Sequence, residues 1–157
     1  MVYTSRYSNP ELKTGKYTAV RISLGTPKWP IGYNLDAEMK DLMPFGLLGK
    51  FERYEDFERA YFERLDQKGV QRIFSQLQRF ERLGKDVVLL CYEDIRKGPD
   101  DWCHRRTFAD WWLKNTGEAL PELFDPTPDP SKPRQAVSKR IQETPPTTFH
   151  MEQLTLF

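Results

Sequence analysis

Residues 86–93 read DVVLLCYE, a continuous apolar run that ends in a cysteine, a tyrosine and a glutamate. An apolar run of this kind is typical of a strand that is covered on both faces, as in a parallel sheet. The carboxyl end of such a strand is also where open α/β sheets hold their ligands. We therefore expect this segment to be the central strand of an α/β domain, with Cys91 at its carboxyl end.

Patterns on either side of this run predict the remaining elements. Two segments rich in β-branched and aromatic residues predict strands, at 2–7 and 18–24. Apolar residues at helical spacing predict helices over 54–65, 70–80 and 102–115, and a shorter helix is expected from a cap at Asp36 to Pro44. The expected fold class is α/β, a single small domain with a central, mostly parallel sheet flanked by helices.

The composition changes past Leu123. Prolines stand at 126, 128, 130, 133, 145 and 146, and no helical or strand period is long enough to bury a face. Such segments act as extended tethers rather than as packed structure. We therefore expect the α/β domain at 1–124, a flexible proline-rich linker at 125–150 and a separate terminal peptide at 151–157.

Charge and cysteine content limit the possible partners and the compartment. The net charge is +1, with 24 lysines and arginines against 23 acidic residues, so no overall field attracts nucleic acid or an anionic membrane. No apolar run approaches the roughly 20 residues that a membrane-spanning helix needs. Two cysteines are too few for a disulfide framework, so we expect free thiols in a reducing, cytoplasmic setting and no membrane partner.

The chain ends with QLTLF at residues 153–157. This pentapeptide resembles the Gln-Leu-x-Leu-Phe motif by which bacterial polymerases and repair proteins bind the DNA sliding clamp. Leu154, Leu156 and Phe157 suit an apolar groove, and the Gln153 amide can hydrogen-bond at its edge. The expected partner is therefore the bacterial DNA polymerase sliding clamp, and the alternative is an apolar end that frays or folds back on the core.

Two segments with reactive side chains are expected to meet at one edge of the sheet. Cys91 and Glu93 end the central strand, and Cys103, His104 and Arg105 begin the helix that follows. A helix amino terminus presents unpaired N–H groups and a partial positive charge, which favour an anion or a thiolate. These residues form the candidate site.

Four interpretations of this site remain open. A phosphate or carboxylate pocket that uses His104 and Arg105 is favoured over a nucleophilic thiol at Cys103, with Glu93 as the acid or base in either case. A metal site built from Cys91, Glu93, Cys103 and His104 is the weakest, because adjacent helical residues do not easily turn to one ion. We therefore name no metal ligand, and the sequence does not decide the cofactor or a dependence on metal. In the fourth interpretation Cys91 is a buried strand residue, Cys103 a small cap and His104 a surface group.

These motifs resemble the domain-of-unknown-function 488 family. Its members pair an amino-terminal Tyr-Thr segment with a later Leu-Leu-Cys-x-Glu and a Cys-His-Arg, which here are Tyr3-Thr4, residues 89–93 and residues 103–105. The resemblance spans residues 2–117 and implies an α/β fold with a shared pocket, but it does not supply a reaction. Many members carry a histidine where this chain has Tyr7, so no role is carried over for that histidine.

The first strand and the turn after it are expected to supply the opposite wall of the pocket, through Tyr3, Ser5, Arg6 and Asn9. Trp29 lies on a loop interrupted by prolines and a glycine after the second strand. Its ring could stack on a base, or it could pack at the edge of the core.

Together these features predict a protein of DNA replication or repair. Its α/β domain would bind or process a nucleotide or a nucleic-acid phosphate, while its terminal peptide docks it on the clamp. One alternative is a noncatalytic adaptor or clamp competitor. Another is a small-molecule thiol enzyme whose terminal motif is accidental, and the sequence does not decide whether the domain is an enzyme.

Overall fold

The computed structural model describes residues 1–98 and 102–132. Its strands are β1 (Val2–Arg6), β2 (Tyr17–Arg21), β3 (Ala37–Glu38) and β4 (Asp86–Cys91). Its α-helices are α1 (Tyr54–Lys68), α2 (Val70–Glu81) and α3 (His104–Thr116), and short 3₁₀ helices cover Pro10–Thr14 and Lys40–Leu42. The predicted α/β class is confirmed.

The chain divides into two compact units, Met1–Thr127 and Pro128–Phe157. Every strand and helix named above belongs to the first unit. In the second unit, residues 128–132 are described, and there the Asp129 carboxylate accepts hydrogen bonds from the backbone N and Oγ of Ser131 at 2.9 and 2.6 Å. The rest of the predicted linker and the terminal peptide lie outside the described residues. Within the described part of the chain, no helix has the length and apolar character to cross a membrane.

The sheet is parallel throughout, with the strand order β1-β4-β2-β3. β4 pairs with β1 on one side, where Cys91 lies opposite Arg6, and with β2 on the other, where Leu90 lies opposite Arg21. Every residue of β4 after Asp86 is buried, as predicted for a central strand. The carboxyl ends of β1, β4 and β2 therefore lie at one edge.

Successive side chains of β4 point to opposite faces of the sheet, and so they contribute to two separate core clusters. Val87 and Leu89 face the cluster that contains the apolar faces of all three α-helices. Val88 and Leu90 face a smaller cluster, completed by Leu12, Leu123 and residues of the loop after β2. The α-helices thus cover one face of the sheet, and the second face is covered by a 3₁₀ helix and loops.

The predicted short helix from Asp36 to Pro44 is confirmed only in its second half, where the 3₁₀ helix covers Lys40–Leu42. Residues 37–38 form β3 beside β2 instead. Asp36 joins the edge of β2, since its carboxylate accepts a hydrogen bond from the Ala19 N–H at 2.8 Å and its own N–H donates to the Ala19 carbonyl at 2.9 Å. Satisfying the open edge of β2 thus takes precedence over capping a helix.

A buried ion pair attaches α3 to the far edge of β1. Arg105 is fully buried, and its Nη2 lies 2.7 Å from Oε2 of Glu122. Glu122 lies on a short segment that pairs with β1, where the Thr4 N–H donates to the Pro121 carbonyl at 3.0 Å and the Leu123 N–H donates to the Thr4 carbonyl at 2.8 Å. The Thr4 hydroxyl also donates to Glu122 Oε1 at 2.6 Å. The segment after α3 therefore anchors the helix to the sheet.

We expect Glu122→Ala to lower the free energy of unfolding by about 3–5 kcal/mol, because it leaves the Arg105 charge buried without its partner. Urea denaturation followed by circular dichroism measures this change. The matched control is Glu118→Ala, at an exposed position just before the same segment, which should change stability by less than about 0.5 kcal/mol. Equal denaturation midpoints for the two variants would contradict the importance of the pair.

Candidate functional site

A cavity of about 460 Å³ opens at the carboxyl ends of β2 and β4. The lining residues are Ser23, Leu24, Gly25, Leu48, Cys91, Tyr92, Glu93, Trp102, Cys103 and His104. Its volume falls within the range of about 300–1,000 Å³ that is usual for small-molecule sites. The two cysteines, the histidine and the glutamate of the sequence motifs therefore share one cavity, as predicted.

His104 is the first residue of α3 and is almost completely buried. Its Nε2 lies 2.7 Å from the backbone carbonyl oxygen of Ile22, the residue that follows β2. A carbonyl can only accept a hydrogen bond, so Nε2 carries a proton and donates. The ring is also held at its side by Tyr61, whose ring it meets edge-on at 5.9 Å. These contacts fix the orientation in which Nδ1 faces the two cysteines.

The sulfur atoms of both cysteines lie close to His104 Nδ1. Cys91 Sγ is at 3.4 Å and Cys103 Sγ is at 3.9 Å, and the three atoms all lie within 4.8 Å of one another. The expectation that adjacent Cys103 and His104 cannot face one point is therefore wrong. Cys103 is the N-cap residue, with φ −137° and ψ 142°, and makes no side-chain capping bond. Its extended backbone turns the sulfur toward the imidazole, which two consecutive helical residues could not achieve.

The two thiols differ in acidity. The hydrogen bond to the Cys103 sulfur, followed by burial, raises the pKa of Cys91. Burial also opposes ionisation of Cys103, but its side-chain hydrogen bonds with Cys91 and His104, together with the nearby positive charge of Arg105, outweigh it. The pKa of Cys103 therefore lies well below its ordinary value because of these neighbouring side chains.

Glu93 stands beside this group at the rim of the cavity. Cys91 Sγ lies 3.3 Å from Glu93 Oε2, within hydrogen-bonding distance. Although the residue is exposed, protein atoms desolvate its carboxylate, and this desolvation together with the negative charge of Cys103 raises the pKa of Glu93. A carboxyl group with a raised pKa suits proton transfer near neutral pH, which is the role predicted for it.

Arg105 does not serve the site as a ligand-binding residue. It is fully buried, and its guanidinium is engaged by the Glu122 carboxylate. Arg105 does not line the cavity, so of the two residues predicted to contact phosphate only His104 faces it. His104 is buried too, which corrects the interpretation of it as a surface group.

The opposite wall predicted from the first strand is also wrong. Ser5 and Asn9 are buried, and Asn9 Nδ2 donates to Ser5 Oγ at 3.1 Å. Asn9 Oδ1 accepts from the Glu11 N–H at 3.0 Å and so caps the first 3₁₀ helix. The Tyr3 ring packs against Tyr17 at 6.3 Å. These side chains support the fold, and the wall is formed by residues that follow β2.

Arg6 is committed to a network of charged and polar side chains. Its Nε lies 2.6 Å from Asp125 Oδ2, and its Nη2 donates to Thr127 Oγ1 at 3.0 Å. Asp94 joins the network through Arg96, with an N–O distance of 2.9 Å. Arg6 is therefore not a cavity residue. The same contacts explain why the first compact unit continues past the predicted boundary at 124.

Trp29 lies next to the cavity without lining it. It is 43% exposed, and its ring centroid lies 5.9 Å from that of Tyr92, which does line the cavity. The ring therefore remains accessible, and base stacking by Trp29 stays a prediction. The predicted clamp contacts Gln153, Leu154, Leu156 and Phe157 lie outside the described residues.

Sequence reasoning missed a hydrogen-bonded chain behind the cavity. Tyr7 is fully buried, and its hydroxyl lies 2.5 Å from Ser23 Oγ, which in turn donates to the Gly25 carbonyl at 2.6 Å. The Tyr7 ring also packs on Tyr92 at 5.0 Å. The available signal was the departure from the family pattern at Tyr7, the position at which many members carry histidine.

Comparison with protein-family models, with curated proteins and with solved structures finds no match for this chain. The resemblance to the domain-of-unknown-function 488 family therefore stays a prediction. The function has to be argued from the cavity and the sequence motifs.

The Asp94 network predicts an acid-sensitive contribution to stability. Hydrogen bonds from Arg96 lower the pKa of Asp94 to about 2. A carboxyl group whose folded pKa is depressed stabilises the fold above its unfolded pKa of about 3.9, and this contribution is lost as the pH falls through the folded value. We expect Asp94→Asn to cost about 2 kcal/mol at pH 7, and we expect about half of that difference to be gone at pH 3.

Urea denaturation of both proteins at a series of pH values measures this difference. Asp110→Asn, at an exposed position on α3, serves as the control and should show no comparable loss. A cost for Asp94→Asn that stays constant from neutral to acid pH would contradict the assignment.

Proposed function

We propose that this chain is a cytoplasmic protein of DNA replication or repair. Its α/β domain processes a nucleotide or a nucleic-acid end in the cavity at the carboxyl ends of β2 and β4. Its terminal peptide, residues 153–157, docks the domain on the bacterial sliding clamp. The observation that supports catalysis best is the convergence of Cys91, Cys103 and His104 in a cavity that Glu93 also lines.

The arrangement of these groups supports an enzyme over a noncatalytic adaptor. Buried thiols are common in protein cores, but here two of them face the second nitrogen of an imidazole inside a cavity. Titratable groups with shifted pKa values cluster at sites that perform chemistry. Here the pKa of Cys103 is lowered and that of Glu93 is raised within one cavity.

The character of the cavity supports a nucleotide-sized substrate. Its walls combine the aromatic residues Tyr92 and Trp102 with the aliphatic side chains of Leu24 and Leu48. Flat bases bind well between such side chains, and the accessible ring of Trp29 could extend the stacking surface outward. With Arg105 engaged elsewhere, recognition of a base explains the walls better than recognition of a phosphate alone.

The terminal peptide supports the cellular setting. Leu154, Leu156 and Phe157 supply apolar anchors at the spacing of the clamp-binding motif, and Gln153 supplies its polar edge. The linker predicted from sequence would let the domain search the DNA around a clamp, where its effective concentration is raised. A reducing cytoplasm also keeps both thiols available.

We expect the full-length chain to bind an immobilised bacterial sliding clamp in surface plasmon resonance. The double variant Leu154→Ala and Phe157→Ala removes two apolar anchors and should weaken binding by at least about tenfold. Thr155→Ala, at the variable position of the same motif, is the matched control and should bind like the original chain. Binding that does not depend on the anchors would refute clamp docking.

We expect Glu93→Gln to reduce processing of nucleotides or DNA ends by about 10²-fold or more, because it removes the proton-transfer group and retains the side-chain shape. The assay incubates the full-length chain with nucleoside triphosphates and with recessed and blunt DNA ends, and follows the products by mass spectrometry. Glu118→Gln is the control at an exposed position. If the chain turns over none of these substrates but clamp binding persists, the adaptor alternative replaces the enzyme.

A further inference from the structure

We propose that Cys91, Cys103 and His104 bind one Zn²⁺ ion whose fourth coordination position opens into the cavity. The inference concerns the chemistry of the candidate site. It rests on the proposed function only where it assigns a reaction, because metal binding itself can be measured without a substrate.

The two sulfur–nitrogen distances within this group are close to those of a zinc site. Zn–S bonds of about 2.3 Å and Zn–N bonds of about 2.0–2.1 Å, in tetrahedral arrangement, place sulfur and nitrogen about 3.6 Å apart and two sulfurs about 3.8 Å apart. His104 Nδ1 lies 3.4 Å from Cys91 Sγ and 3.9 Å from Cys103 Sγ, and no pair in the group exceeds 4.8 Å. Small movements of the side chains would therefore complete the geometry.

The orientation of His104 is that of a metal ligand. Histidines that bind metals commonly donate the other ring N–H to a carbonyl or carboxylate, which fixes the ring and increases the basicity of the ligating nitrogen. Here Nε2–H donates to the Ile22 carbonyl at 2.7 Å, and Nδ1 faces the two sulfurs. The contact with Ile22 thus holds the ligating atom in place before any ion binds.

The three ligands come from two rigid elements. Cys91 ends the central strand, whereas Cys103 and His104 form the N-cap and first turn of α3. All three residues are buried, so their positions are set by the core rather than by mobile loops. This setting suits a preformed metal site better than a chance surface cluster.

The donor set selects the metal. Two thiolates and one imidazole suit Zn²⁺, whereas Mg²⁺ and Ca²⁺ prefer oxygen ligands. Three protein ligands leave one position for water or substrate, as in catalytic rather than structural zinc sites. All three ligands line the cavity, and Glu93, which lines it too, lies 3.3 Å from Cys91 Sγ.

The reaction class that follows is hydrolysis. A bound Zn²⁺ would supply Lewis acidity to a water molecule, and Glu93 would accept a proton from that water as its oxygen forms a bond to the electrophilic carbon or phosphorus atom of the substrate. The bond to the leaving group then breaks, and the leaving group takes the proton from Glu93. No oxidant or reductant is needed, and the carboxylate is restored at the end.

The test uses the full chain without a histidine tag, expressed in zinc-supplemented medium and purified without chelators. Plasma mass spectrometry should find one zinc per chain. Cobalt added to the metal-free protein should give the visible bands of tetrahedral Co²⁺ and a near-ultraviolet thiolate charge-transfer band. Cys103→Ser and His104→Ala should lose the zinc, whereas Glu93→Gln should keep the zinc and both cobalt signals.

Circular dichroism checks that each variant folds. If a ligand variant does not fold, the cobalt spectrum of the original chain still tests the proposal. Substoichiometric zinc together with no thiolate band in the original chain would overturn the proposal, as would a Cys91–Cys103 disulfide in protein purified under reducing conditions. Because none of these readouts involves turnover or the clamp, a metal site without activity would fail the proposed function alone, and activity without metal would fail this inference alone.

Discussion

The candidate site depends on the burial of β4 between two parallel partners. β1 and β2 both run in the direction of β4, so the three strands present their carboxyl ends at one edge. Cys91 is the last residue of β4, and Ile22 follows β2 directly, so a sulfur and a backbone carbonyl stand side by side. The His104 hydrogen bond to Ile22 then attaches the start of α3 to this edge. Sheet pairing therefore determines the site before any side chain contributes chemistry.

The charged residues near the cavity serve mainly to hold the segment after α3 against the rest of the fold. Arg105 holds α3 to the Glu122 segment, and Arg6 holds the chain near Asp125. A buried arginine that lacks its carboxylate would be costly, so each pair fixes the path of the segment that follows α3. This segment pairs with β1 and protects an otherwise open edge of the sheet. Polar ligand recognition is thereby left to Glu93, His104 and the thiols.

The sequence was sufficient to predict the parts of the fold that depend on local pattern. The apolar run before Cys91 and the helical periods of α1 and α2 reflect burial, because buried faces require apolar residues at a fixed spacing. The edge strand β3 has only two residues, too few for a periodic pattern of apolar residues, and so its residues were predicted to be helical. The sequence predicted that the site residues lie close together, but it did not predict which way the Arg105 side chain points. That direction depends on the residue at which α3 begins. A shift of one residue in a helix start rotates each side chain by about 100°.

The arrangement of the two sulfurs around one nitrogen constrains what they can do. A disulfide would draw Cys91 and Cys103 to about 2.05 Å and leave Nδ1 of His104 without a function. A simple Cys–His pair would use one sulfur and leave the second thiol beside it as an inert packing group. A metal ion would bind all three donors at once, and the free energy of binding would also stabilise the fold. The Ile22 contact favours this outcome, because a histidine whose Nε2 is already fixed has only Nδ1 left to offer.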